Sequence, residues 1–121
     1  MSREEWILLV VSRFYEKAKT DVLIGYHFRV IDDFNSHLPR IATFWETILL
    51  GHTSRPVTHP FDVMNVHKRM GIHRGELGRW LVLFRKTLDE ETPPEFAELR
   101  NLWLEKLAFF ESVFLRSLGF Q

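Results

Sequence analysis

Six histidines and no cysteine leave imidazole, phenol, indole and carboxylate as the groups with which this chain could do chemistry. Among the histidines, His67 stands apart. Between Pro60 and Met70 the residues Val63, Val66, His67 and Met70 recur at helical spacing, so the imidazole shares an apolar face and points toward the core. A core-facing histidine can be a packing residue whose ring is hydrogen-bonded. It can also satisfy one nitrogen through backbone or a carboxylate and present the other to a metal. Trp80 follows thirteen residues later. The intervals between His52, His59, His67 and His73 lack the close i, i+4 pairing of zinc-binding helices, and no HExxH motif is present. No Ser-His-Asp arrangement is readable either, so conventional hydrolysis is not expected.

The elements that position these groups read as helices. Ser2 with Glu5 forms a capping box at the start of the first, whose apolar stripe is Ile7, Val10, Val11, Phe14 and Ala18. Tyr15 borders that stripe, so its hydroxyl reaches either an interior site or water. TDVLIGYHF reads as a turn in which Gly25 supplies an unusual backbone angle, followed by a short segment from Arg29 to Asp33. The next helix is expected from Ser36 to Gly51, with Pro39 in its first turn and His37, Ile41, Phe44 and Ile48 on one inward face. His37 could instead be a first-turn surface residue. His52 to Pro60 is a breaker-rich loop, either a lid or a connector. A helix from Arg74 to Leu88 buries Leu77, Trp80, Leu81, Phe84 and Leu88. Thr92 as cap, Pro93 at the first position and Glu95 completing a box predict the last helix, which runs to Leu118 and stops at Gly119. Its inward positions are Leu99, Trp103, Leu107, Phe110 and Phe114. No alternating run is long enough for a sheet, so the fold class is all-α.

A chain of 121 residues with 45% apolar content is expected to form a single domain, 1–121. Eleven phenylalanines and four tryptophans suit a protein that surrounds something large and flat, and also a plain, well-filled core. Sixteen basic residues balance sixteen acidic ones, so no field draws in nucleic acid or an anionic membrane surface. The absence of cysteine excludes disulfides, iron-sulfur clusters and covalent haem attachment. The apolar run near the start is too short, and wrongly flanked, for a signal peptide or a membrane span, which makes the cytoplasm the expected location.

The order FYEKAKTD, HLPRIATFW with LLG, VHKRM and RWLVLFRKT resembles the truncated haemoglobins, and within them the third group. The combination of FW-x-x-x-LLG, H-x-x-M and RWL-x-LF carries the likeness from about Trp6 to Leu118. The resemblance implies a two-over-two helical sandwich around one non-covalent haem b. It makes His67 the proximal histidine on the iron and places Tyr15, His37 and Trp80 on the distal side. It puts Arg40 near a propionate, with a solvent-facing arginine as the equal alternative, and makes Ile41, Phe44, Phe28 and Met70 apolar contacts of the haem. Two features depart from the pattern: Gly25-Tyr26 stands where a Gly-Pro pair is common, and the loop before His67 is longer and lacks a characteristic tyrosine. His52 and His59 lie in that loop and could reach the iron or a propionate.

The function so implied is binding of dioxygen, nitric oxide or carbon monoxide, with redox or nitric-oxide chemistry open. A nitric-oxide dioxygenase or peroxidase-like enzyme would need a separate reductase. A haem-based sensor, a haem-free helical interaction domain and a non-haem metal site are the alternatives.

Overall fold

Helix α1 (Arg3–Ala18) begins at the capping box. The Glu5 N–H donates to the Ser2 hydroxyl at 3.0 Å and the Ser2 N–H to the Glu5 carboxylate at 2.9 Å. The computed structural model describes residues 1–30, 33–54 and 62–117. After α1 the chain turns on Asp21, whose Oδ2 accepts the N–H groups of Leu23 and Ile24 at 3.0 and 3.2 Å. Helix α2 (Gly25–Arg29) therefore starts at once, inside the stretch expected to be a turn; of the segment expected at Arg29 to Asp33, residues 31 and 32 lie outside the described residues. Gly25 has no positive φ, contrary to expectation. Glycine is needed there for space instead. A Cβ would lie 2.9 Å from the Lys19 carbonyl oxygen and 2.6 Å from the Arg29 guanidinium.

Helix α3 (Phe34–Leu50) starts two residues before the expected cap, because the Asp33 side chain accepts the Ser36 N–H. That shift places Pro39 in the second turn. Asn35, whose carbonyl loses its helical donor there, is exposed, so water can replace it. Gly51 ends α3 with a φ of 78°. Helix α4 (Val63–Met70) is capped by Asp62, which accepts the Asn65 N–H at 3.1 Å, and is closed by Gly71. Residues 55–61, with His59, lie outside the described residues.

Helix α5 (Arg74–Glu91) runs past the expected end. The Thr92 hydroxyl donates back to the Leu88 carbonyl, so Thr92 finishes α5 and does not cap the next helix. Pro93 is extended, and Pro94 opens a 3-10 turn (Pro94–Phe96) that leads into α6 (Ala97–Ser117). The expected stop at Gly119, and Leu118 before it, lie outside the described residues.

Helix α1 packs against both α3 and α5, and α6 packs against both of those in turn, which gives a cycle of four long helices. Trp6, Ile7, Val10, Val11, Phe14 and Ala18 are almost wholly buried at its centre. The Trp6 indole N–H donates to the Glu91 carbonyl at 2.9 Å and ties the start of α1 to the end of α5. Arg79 of α5 holds the corner after α1, donating to Asp21 Oδ1 at 2.9 and 2.7 Å. That hydrogen-bonded guanidinium keeps the Asp21 carboxyl below the usual carboxylate range. Among the described residues, no helix is long and apolar enough to cross a membrane.

Two glycines should respond oppositely to substitution. Gly25→Ala overpacks a backbone contact and should cost about 1–3 kcal/mol. Gly78→Ala, at an exposed position of α5 with open space around its Cβ, should gain about 0.5–1 kcal/mol. Urea denaturation of the two variants beside the parent chain checks both signs.

Candidate functional site

Five helices converge on an open cavity that spans about 650 Å³ when its solvent-filled mouth is included. Phe14 and Tyr15 come from α1, Ile41, Phe44 and Trp45 from α3, and His67 from α4. Leu77, Trp80, Leu81 and Phe84 come from α5, and Leu107, Phe110, Glu111 and Phe114 from α6. The walls are mostly rings and aliphatic chains. Polar groups are few and specific: a phenol, an imidazole, two indoles and a carboxylate.

His67 is half-buried and sits between two aromatic rings, 5.2 Å from Trp80 and 4.9 Å from Phe114, centroid to centroid. The face that the sequence assigns to it is thus the face that meets the cavity. Tyr15 is buried and its hydroxyl lies 3.2 Å from His37 Nε2. Burial pushes the Tyr15 phenol well above its ordinary pKa, so it remains an O–H donor throughout the neutral range. His37 does not itself line the cavity; it is half-buried behind the phenol, with its ring stacked 5.6 Å from that of Tyr15. Burial, and secondarily the positive charge of Arg40, lower its pKa and favour the neutral imidazole. A neutral ring can either accept the Tyr15 proton or donate to the phenol oxygen, leaving the hydroxyl proton for something in the cavity.

The remaining residues singled out in the sequence take different places. Ile41 and Phe44 line the cavity. Phe28 is buried outside the lining, with its ring 5.1 Å from Tyr15 and 4.9 Å from Trp80, where it braces both. Met70 is partly buried against the core, Arg40 is exposed on α3, and His52 is exposed beside Glu4 at 3.4 Å. Helix α2, which carries Phe28, is fastened to α5 through Glu76. Tyr26, the departure from the resembled pattern, donates its hydroxyl to that carboxylate, and His27 lies 3.3 Å from it. Burial opposes ionisation of Glu76, but the bonds from Tyr26, the His73 N–H and His27 outweigh it and hold its pKa down.

Trp45, Phe14, Phe84, Phe110 and Phe114 belong to the lining although spacing marks several of them only as core. An inward helical position looks the same whether it meets another side chain or a cavity. Glu111 was missed altogether. It follows Leu107 by one helical turn and is paired with Arg85 at 3.6 Å. Among the described residues, no three His, Asp or Glu side chains group as a metal-holding cluster.

No family model and no curated protein matches the chain. A solved structure does: the crystal structure of a group III truncated hemoglobin from Campylobacter jejuni superposes with a TM-score of 0.79 at 24% identity, covering 98% of this chain and 92% of that one. The chain has the truncated-globin fold.

The depressed pKa of His37 has a definite sign for stability. The unfolded chain takes up a proton below about pH 6.5, where the folded chain resists it, so stability falls as pH drops through that value toward the folded pKa. His37→Gln should flatten this part of the profile, as read from urea midpoints on either side of about pH 6.5.

Proposed function

We propose that this chain is a haem-binding truncated globin that takes dioxygen and other small diatomic ligands at a single non-covalent haem b. The observation that carries this reading is one apolar, ring-lined cavity with His67 on one helix and a buried Tyr15, backed by half-buried His37, on two others. The donor set fits the group. A flat apolar macrocycle suits walls of Phe, Leu, Ile and Trp, and one imidazole among them is the axial ligand that globins use. His67 would hold the iron through a ring nitrogen, Ile41, Phe44 and Trp80 would contact the macrocycle, and Arg40 would serve a propionate from α3.

Haem supplies a redox-active iron with an open position for a diatomic molecule or a peroxide. The chain's own part is to position donors and exclude water. Tyr15 offers a hydroxyl that burial keeps protonated, and His37 fixes its direction from behind. The Trp80 indole offers a second N–H from α5. Phe28 holds both rings in place, so neither donor has to be ordered when a ligand arrives. Two such bonds to a polarised ligand, at about 1.5 kcal/mol each, would slow its release roughly a hundredfold. That makes the chain a holder or converter of its ligand and a poor deliverer. The same donors would polarise a peroxide, and conversion would draw electrons from a separate reductase.

The decisive measurement is the optical spectrum after haem addition, in ferric, ferrous and carbon-monoxide forms, beside His67→Ala. A stoichiometric Soret band with histidine-ligated ferrous character, lost or weakened in the variant, is expected. Equal, weak uptake by both proteins would overturn the reading. Tyr15→Phe should then speed dioxygen release by roughly tenfold, the loss of one such hydrogen bond, in a stopped-flow displacement experiment.

A further inference from the structure

Three of the four tryptophans form a continuous line from the cavity to the far end of α1. Trp45 lines the cavity. Its ring centroid lies 5.3 Å from that of Trp103, which lies 5.5 Å from that of Trp6. Trp6 stacks at 5.2 Å on Phe96, which is only partly buried, so the line ends one ring layer below solvent. Trp80, the fourth, stands in the cavity wall apart from this line.

We propose that Trp45, Trp103 and Trp6 conduct oxidising equivalents out of the cavity, so that a peroxide reduced there can draw its electrons from a donor at the surface near Phe96. The inference rests on the haem reading given above. Indole and phenol are the side chains that lose an electron most easily, and rings in van der Waals contact exchange one by short hops. Tyr15, whose hydroxyl lies 3.2 Å from the neutral imidazole of His37, is the competing site of oxidation, and the test below separates a phenol radical from an indole one.

The polar environment gives the line a direction. The Trp103 indole N–H is buried and has no hydrogen-bond partner among the described residues, so no acceptor among them stabilises a positive charge on that ring. The Trp6 N–H donates to the carbonyl of Glu91, the last residue of α5, where the negative end of the helix dipole lies. A cationic indole is therefore more stable at Trp6 than at Trp103, and the charge moves outward while electrons move inward.

The balance is that of any peroxide reduction. Hydrogen peroxide takes two electrons and two protons and yields two waters as its O–O bond breaks. The protons come from solvent. The two electrons would pass one at a time from Trp6 through Trp103 to Trp45 at the cavity wall, and two molecules of a one-electron donor, a phenol or ferrocyanide, would restore Trp6.

The test is freeze-quenched electron paramagnetic resonance of the haem-loaded protein mixed with hydrogen peroxide, for the parent chain, Trp103→Phe and Trp6→Phe. Neither residue lines the cavity, so the Soret spectra should be unchanged. The parent should show a tryptophanyl radical. Trp6→Phe should change its hyperfine pattern, as the radical comes to rest on another indole, and Trp103→Phe should lose the Trp6 component. An identical radical in parent and Trp6→Phe, or a tyrosyl signal alone, overturns the proposal while leaving haem binding intact. Absence of a Soret band is a different failure and removes the haem reading itself. If Trp103→Phe does not fold, Trp6→Phe decides alone.

Discussion

Helix α1 has to satisfy two large neighbours at once. Because α3 and α5 both pack on it, it must be apolar on adjoining faces, and Trp6, Ile7, Val10, Val11, Phe14, Tyr15 and Ala18 are all buried in its sixteen residues. Two polar groups are carried inward with these side chains, the Trp6 indole N–H, which meets the Glu91 carbonyl, and the Tyr15 hydroxyl. A buried hydroxyl without a partner costs about 1–3 kcal/mol, so α3 must bring His37 to it. That bond fixes how α3 sits on α1, and with it which residues of α3, Ile41, Phe44 and Trp45, face the cavity. The site is in this sense a consequence of how α1 is buried.

Helix existence and inward faces were legible because burial imposes a period that the apolar residues must follow, as at Phe14, Phe84 and Trp103. The capping box at Ser2 was legible because both of its partners are local. What could not be read depended on atoms distant in sequence or on short competing bonds. Asp21 gathers the N–H groups of Leu23 and Ile24 while gripping Arg79 from α5, and this turned an apparent loop into a helix at Gly25. The role of Gly25 was misjudged for the same reason, since the crowding comes from the Lys19 carbonyl and not from its own φ. Thr92 had two equivalent uses by pattern, and the Leu88 carbonyl behind it decided between them.

The candidate site was legible in its chemistry and incomplete in its walls. His67, Tyr15 and Trp80 carry polar atoms on otherwise apolar faces, which is a signal that survives without a structure. Phe110 and Phe114 carry none, and their spacing on α6 fits core and cavity alike. Glu111 is the reverse case. Its charge suggests a solvated face, whereas the fold sets it in the cavity lining, where it pairs with Arg85 of α5.

Helix α4 brings these points together. It is short, and its partly buried residues Met64, Val66, His67 and Met70 alternate with exposed Asn65, Lys68 and Arg69. Its ends are set by Asp62 and Gly71, and its ring contacts run through His67 to Trp80 and Phe114. A ligand bound in the cavity stabilises the folded chain in proportion to the logarithm of its concentration over its dissociation constant. His67 is the side chain by which α4 reaches the cavity, so occupancy would be felt at α4 through that ring and its contacts with Trp80 and Phe114.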